Sequence, residues 1–325
     1  MFQFALEKGK SSSLFDTTPK WDFLIIGGGP AGFNAALYAK RKGLQVGLIT
    51  SEVGGQLHNT STVDNYLGIQ WIEGKDLSNA FFDHINTLEV PILKDVHVLG
   101  IEKQGFDFLV SVSDGKQLLT KTILLATGGA PRQLGIPGEN KYANKGVSYC
   151  TTCDAPFFKG KHIVVAGGGN SAAEAVLDLV PWASQITVVH RSQWRADNIL
   201  LEKHQSVPHL TVHLQTEIKE VLGDEFMTGL RVFHKDTQTE EIITADGLFI
   251  EIGTVPKNNL VKDFVAVNER GEIIVDDNQS TSEPGIYAAG DVTHQPYKQI
   301  IIAAAEGAKA ALAVNQYLIH QYKGA

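Results

Sequence analysis

Trp21-Asp22-Phe23-Leu24-Ile25-Ile26 runs straight into Gly27-Gly28-Gly29-Pro30-Ala31-Gly32, and this junction decides the fold. The residues before the glycines are almost all apolar, which suits a parallel strand buried on both faces. After the glycines comes FNAALYAKRKG, with Ala35, Ala36, Tyr38 and Ala39 at helical spacing, then a second apolar run from Leu44 to Thr50. Strand, glycine turn, helix and strand make a βαβ unit. Gly27, Gly29 and Gly32 form the GxGxxG pattern. It lets the chain turn tightly, sets backbone N–H groups against a pyrophosphate at the helix N-terminus, and packs helix closely on strand. Glu52 stands about twenty residues further on, where an acid holds an adenosine ribose. A glycine turn with no ligand is the alternative, and the surrounding βαβ context argues against it.

The signature recurs. Lys161 to Ala166 is a strand, Gly167-Gly168-Gly169-Asn170-Ser171-Ala172 is a GxGxxA turn, and AEAVLDLV continues as a helix until Pro181. The next strand, Gln185 to His190, ends at Arg191, with Arg195 close behind. Residues just past this strand face the adenosine ribose; an acid there suits a 2′-hydroxyl and an arginine suits a 2′-phosphate. Without the preceding glycine turn, His190, Arg191 and Arg195 read simply as a solvated loop.

Between and after these units lie further segments with a reading of their own. Gly54 and Gly55 let backbone approach a flat ring, and HNTSTVDNYLG reads as loop. Leu77 to Leu88 is an amphipathic helix. Alternation from Val96 to Leu119, with a turn at Asp114-Gly115, gives antiparallel strands, and a strand over Ile123 to Ala126 ends in glycines. Residues 211–251 alternate like strands. Ser282 to Val292 ends in Gly290-Asp291 and precedes a helix over KQIIIAAAEGAKAALAVNQYL. A carboxylate at that turn can bind a ribityl hydroxyl, and the helix start near Gln299 and Ile300 can face an electron-rich ring. Asp291 as an ordinary helix cap is the competing reading.

Cys150-Thr151-Thr152-Cys153-Asp154 holds the only two cysteines of 325 residues. Two sulfurs at this spacing can close a small disulfide, and the surroundings can depress one thiol's pKa enough for attack at neutral pH. A zinc site needs more N or S ligands than two thiols and a histidine such as His162 or His190 supply, so no metal is expected. Two inert core thiols sit badly with Asp154, Thr151 and Thr152.

Apolar content of 43% fits a globular chain with real cores, and the length allows about two domains. Net charge is −8 with scattered Lys and Arg, so neither a nucleic-acid footprint nor a basic membrane patch is present. No apolar run reaches the roughly 18 residues of a spanning helix, since Glu306 and Lys309 interrupt the longest candidate. Residues 1–20 lack the pattern of a secretory signal and read as a flexible or loosely docked extension. A single, working disulfide points to a reducing cytoplasm.

GGGPAG, GGQL, DNY, ATGG, CTTCD, GGGNSAAEA and AAGDV, in that order, resemble the low-molecular-weight thioredoxin reductases. PGENKYANKGVSYCTTCDAPFFKGK and YKQIIIAAAEGAK are similar to the C-terminal module of the alkyl hydroperoxide reductase flavoprotein. The resemblance covers about residues 21–320. It implies an α/β fold of two Rossmann-like dinucleotide-binding domains, the second inserted into the first, as in class II pyridine nucleotide-disulfide oxidoreductases. In this chain 1–20 is the extension, 21–129 and 254–325 are the two segments of the FAD domain, and 130–253 is the NAD(P)H domain carrying the cysteines. By position, Gly27, Gly29, Gly32, Gln56, Asn65, Asp291 and Gln299 hold FAD, with Pro30, Ala31, Glu52, Gly55, Leu57, Gly128, Gly290, Lys298 and Ile300 beside them. Gly167, Gly169, Asn170, Ser171, Arg191 and Arg195 hold the nicotinamide nucleotide, with Ala172 and His190 alongside. Cys153 is the sulfur nearer the flavin, Cys150 exchanges with the partner disulfide, and Asp154 is the acid-base group. In the family the nucleotide domain rotates, so that NADPH and the cysteine pair take turns at the flavin.

The implied activity is NADPH-driven reduction of a thioredoxin-like or glutaredoxin-like protein by a homodimer. Alternatives are a ferredoxin-dependent reductase with an idle nucleotide site, an NADH-dependent reductase serving a peroxiredoxin system, and a flavin-bound redox sensor that does not turn over. The family's HRR-x-x-FR segment reads HRSQWR, one residue short and with Ser192 for the second arginine, which leaves NADH open. Arg191 pulls towards NADPH, because the peroxide-system relatives carry an acid there. Ala155 replaces the usual glycine after CxxCD. With only about twenty residues before the first strand, a thioredoxin-like N-terminal module is not expected, and a separate partner takes the electrons.

Overall fold

Side chains of the Trp21–Gly28 strand alternate between two cores, which is why its sequence is apolar but for Asp22 near its start. Leu24 and Ile26 enter one, while Phe23 and Ile25 enter the other among Ala35, Ala36 and Ala39 of the Pro30–Arg41 helix. The structure is a computed structural model and describes residues 10–60, 62–261 and 264–322. The chain divides into two units, residues 1–130 with 255–325, and residues 131–254.

In the first unit five parallel strands run in the order Ile92–Lys94, Val46–Val53, Trp21–Gly28, Gln117–Leu125 and Ile286–Ala288. Gln117–Leu125 is one continuous strand, longer than the expected Ile123 to Ala126. Its first half pairs antiparallel with Asp107–Val112 (Phe108↔Thr120), and its second half pairs parallel with Ile286–Ala288 (Ile123↔Ile286). Val98–Gln104 completes the meander, whose turn falls at Asp114-Gly115 as expected. The Pro30–Arg41 helix lies against the Ile300–Tyr322 helix so closely that a Cβ on Gly307 would sit 2.0 Å from Ala31 O. Asn34 Nδ2 donates across the same seam to Ala304 O at 2.6 Å.

The second unit repeats the plan. Its parallel order is Leu210–His213, Gln185–Val189, His162–Ala166, Gly247–Ile250 and Val147–Ser148. A three-stranded antiparallel sheet, Thr216–Gly223, Met227–His234 and Thr239–Thr244, fills the crossover. Val164, Ala166 and Leu248 pack on that sheet, and Ile163, Val165 and Phe249 pack on the Asn170–Leu179 helix. Each unit therefore has the strand order of a doubly wound dinucleotide fold. Its crevice opens at the carboxyl ends of the two central strands, where successive connections leave in opposite directions.

Two local expectations change. Residues 10–17 form a helix whose Phe15 is buried against Trp21, ring centroids 4.8 Å apart, directly over Gly47. The extension is thus docked from residue 10 by one aromatic anchor, and residues 1–9 lie outside the described residues. The expected loop after Leu57 contains a short strand, Thr62–Val63, paired antiparallel with Ile72–Glu73.

Candidate active site and dinucleotide crevices

Gly27 has φ +118, and a Cβ there would lie 2.1 Å from Ala126 O, so only glycine lets the strand end this close to its neighbour. Gly32 presses on Gly27 O in the same way, fixing helix to strand. Gly29, by contrast, has nothing within 4 Å of its would-be Cβ, and no side chain caps the helix that starts at Pro30. Open space beside uncapped helical N–H groups is what a pyrophosphate requires. Thr50 locks the turn: its Oγ1 accepts from Gly28 N (3.1 Å) and Glu52 N (3.2 Å) and donates to Glu52 O (2.6 Å). That places Glu52 at the crevice mouth with its side chain exposed.

Other expected residues of the first site contact this turn or pair with one another in the same unit. Gly54 N donates to Gly28 O at 2.7 Å, and Gly55 lies against Gly29. Gln56 Nε2 donates to Asp291 Oδ2 at 2.7 Å, and Asn65 Nδ2 to Gln299 Oε1 at 3.3 Å. Gly290 packs beside Ala31, and Gly128, at φ +69, accepts from Lys257 N. Leu57 and Ile300 share one small apolar cluster. Lys298 Nζ donates to Thr293 O and pairs with Glu272 at 3.5 Å. Asp291 does not cap the long helix, which begins at Ile300, so that reading falls. Burial pushes the Asp291 carboxyl up, against the opposing pull of Lys298 and Gln56. Glu306, missed in the sequence, accepts Gly290 N–H at 2.7 Å and is also pushed up by burial. Its one visible signal is an acid standing alone in an apolar helix.

The second crevice has the same build. Gly167 has φ +155 with Glu251 O 2.3 Å from its would-be Cβ, Gly169 is open, and the Asn170–Leu179 helix has no side-chain cap. Ala172 is fully buried where the first turn has Gly32. The backbone N–H groups of Asn170, Ser171 and Ala172 thus lie at an uncapped helix start. Asn170 Nδ2 donates to Asp197 Oδ2 at 2.8 Å, and Asn170 Oδ1 accepts Asp197 N at 2.9 Å. Arg195 N donates to Gly168 O at 2.7 Å, so the loop that carries Arg191 and Arg195 folds back onto the turn with both side chains exposed. His190 is buried with its ring against Gly168 and its Nε2 3.1 Å from Ser192 Oγ, beneath the turn and not projecting from the loop. Burial and the neighbouring Arg195 and Arg191 hold its pKa below the usual value.

Cys150 and Cys153 are joined in a disulfide in this same unit. Cys150 precedes the one-turn helix Thr151–Asp154, and its Sγ accepts Cys153 N–H at 3.3 Å. An N–H directed at a sulfur is a contact that favours the thiolate form of a cysteine. Ser148 Oγ accepts Cys150 N–H at 3.1 Å and donates to Asp154 Oδ2 at 2.6 Å, tying the carboxylate to the turn. Thr151 Oγ1 donates to Glu251 Oε1 at 2.7 Å, and Glu251 N donates to Ala166 O at 2.8 Å beside Gly167. Glu251 therefore links the cysteine turn to the second glycine turn within one unit. Burial lifts its carboxyl above the usual 4.5, and Asp178 and Glu174 push the same way. Upstream, Glu139 accepts Leu134, Gly135 and Ile136 N–H groups and the Tyr149 hydroxyl, which fixes the approach to Cys150.

With this geometry, the family model for pyridine nucleotide-disulphide oxidoreductases matches residues 21–307. The F subunit of alkyl hydroperoxide reductase in Staphylococcus aureus is 38% identical over 309 residues, 95% of this chain and 61% of the relative. Its counterpart of the same name in Pseudomonas putida is 43% identical over 303 residues, 92% of this chain and 58% of its own. The chain thus spans about three fifths of the length of these curated relatives. The crystal structure of thioredoxin reductase from Streptococcus pyogenes superposes with a TM-score of 0.87 at 36% identity, covering 93% of this chain and 99% of that one.

Proposed function

The chain belongs to the pyridine nucleotide-disulphide oxidoreductase family, and from that premise we propose that it carries electrons from NADPH through FAD to Cys150–Cys153 and on to the disulfide of a thioredoxin-like protein. The observation that carries the reading is the Cys150–Cys153 disulfide, held with Asp154 in a hydrogen-bonded turn in the unit that also holds the second glycine turn. Gly27 to Gly32, Gln56, Asn65, Asp291 and Gln299 would hold FAD; Gly167 to Ala172, with Arg191 and Arg195, would hold NADPH. When bound, FAD accepts the nicotinamide's hydride and supplies the electron pair that reduces the disulfide.

This chain's residues manage the thiol chemistry that follows. Cys150 thiolate, favoured by the Cys153 N–H, attacks one sulfur of the partner disulfide; the other partner sulfur leaves as thiolate and takes a proton. Cys153 then attacks Cys150 in the mixed disulfide, reforming the internal bond and releasing the second partner thiol. Asp154, oriented by Ser148, supplies and recovers the proton. A homodimer is part of the proposal.

A second reading, a reductase for a peroxiredoxin system, draws support from the 38% and 43% identity to the two alkyl hydroperoxide reductase proteins. Turnover of the purified protein with NADPH, a thioredoxin and a thiol dye tests the first reading. Sustained dye reduction supports it. Turnover only with a peroxiredoxin selects the second reading, and no turnover with any thioredoxin or glutaredoxin contradicts the first.

A further inference from the structure

Three side chains outside the proposed electron path meet at the edge of the second unit. His213 ends the Leu210–His213 strand, His234 ends Met227–His234, and Glu241 lies on Thr239–Thr244. One ligand atom from each lies within 4.8 Å of the other two. His234 Nε2 stands 2.8 Å from Glu241 Oε2, and the two imidazole centroids are 5.5 Å apart. Strand register produces the meeting: His234 pairs with Thr239, so Glu241, two residues on, is its diagonal neighbour on one face. Gln215, at φ +50, turns the chain back after His213, and its O accepts Lys235 N–H at 2.8 Å, which holds both histidine-bearing segments together.

The ring of His234 aims Nε2 at the carboxylate and Nδ1 at a hydroxyl on the inner side. Thr216 is buried, and its Oγ1 donates its one proton to Leu214 O at 2.8 Å. The same oxygen lies 3.1 Å from His234 Nδ1, so the inner nitrogen is held by a buried hydroxyl and Nε2 faces Glu241. With the ring proton on Nδ1, Nε2 and the Glu241 carboxylate are two acceptors that a cation can join. A second proton on the ring provides one, and a metal ion shared with His213 provides another with three protein ligands. A histidine whose other nitrogen is held by a buried hydroxyl has the outer support that metal-ligating imidazoles carry. Two imidazoles and one carboxylate suit the borderline divalent metals.

We propose that His213, His234 and Glu241 bind one divalent transition-metal ion of the zinc class, with water completing the coordination. The test is equilibrium dialysis and visible-absorption titration of the full chain with Co²⁺, then Zn²⁺, under oxidising conditions that keep Cys150 and Cys153 tied to each other. The expected result is about one Co²⁺ per chain with the spectrum of nitrogen and oxygen ligation, displaced by Zn²⁺. His213→Gln and His234→Gln should abolish uptake, and Thr216→Val should weaken it about tenfold or more through loss of ring orientation alone. Circular dichroism of each variant checks its folding, and Glu241→Gln, on an exposed side chain, gives a third reading with least risk to the fold. No saturable uptake by the parent protein would leave a simple proton-mediated pair and overturn the proposal. Uptake that persists unchanged in folded His213→Gln and His234→Gln would overturn it as well.

Discussion

Glu251 shows how one side chain can join two parts of the proposed reaction centre that the sequence keeps far apart. Its bond to Thr151 spans 100 positions, so no spacing rule could reveal it. The cysteine pair and Asp154 were legible because nothing else in the chain offers a thiol, whereas Glu251 was hidden in the apolar run FIEIG. An acid inside such a run is itself a signal, and Glu306 repeats it. Because burial raises the Glu251 carboxyl above its unfolded 4.5, the folded state binds the proton more tightly than the unfolded chain does. The group therefore costs stability increasingly as pH rises from the unfolded value through the folded one. Glu251→Gln keeps an acceptor for Thr151 and removes that cost. Urea midpoints should show the variant gaining on the parent across this window, with the gain absent below pH 4.5; a difference independent of pH would contradict the assignment.

At the scale of elements, both glycine turns were readable because strand, turn and helix each leave a distinct period, and the turn geometry demands residues without a Cβ. The structure separates two jobs that the motif merges. Gly27 is squeezed by Ala126 O, while Gly29 borders empty space. Gly27→Ala should cost about 2–4 kcal/mol of stability from strain and backbone clash. Gly29→Ala should leave the denaturation midpoint nearly unchanged and weaken FAD retention, read by flavin absorbance after gel filtration. The Lys10–Thr17 helix was not legible, since a single aromatic in a polar stretch gives no periodicity. Its docking rests on Phe15, and Phe15→Ala should cost about 3 kcal/mol in chemical denaturation. In the proposed function, the loop that returns to Gly168 through Arg195 N sets nucleotide choice. Arg195→Ala should raise KM for NADPH about tenfold, leave kcat little changed and barely affect NADH.

For the molecule as a whole, the nesting of one dinucleotide fold inside another follows from two βαβ signatures and a terminal strand, Ile286–Ala288, that returns to the first sheet. What the sequence could not show were contacts between residues distant along the chain: the seam of Gly307 on Ala31, the Gln56–Asp291 pair and the His213–His234–Glu241 cluster. Among the described residues no helix is long and apolar enough to cross a membrane. The proposed path carries electrons from a nicotinamide to two acceptors in series, first a flavin and then the Cys150–Cys153 bond. Anaerobic titration with NADPH counts them. The parent protein should consume about two NADPH per chain before the flavin is fully bleached, and Cys150→Ser, which has no disulfide to open, about one. Equal consumption by the two proteins, or a flavin that NADPH does not bleach, would contradict it.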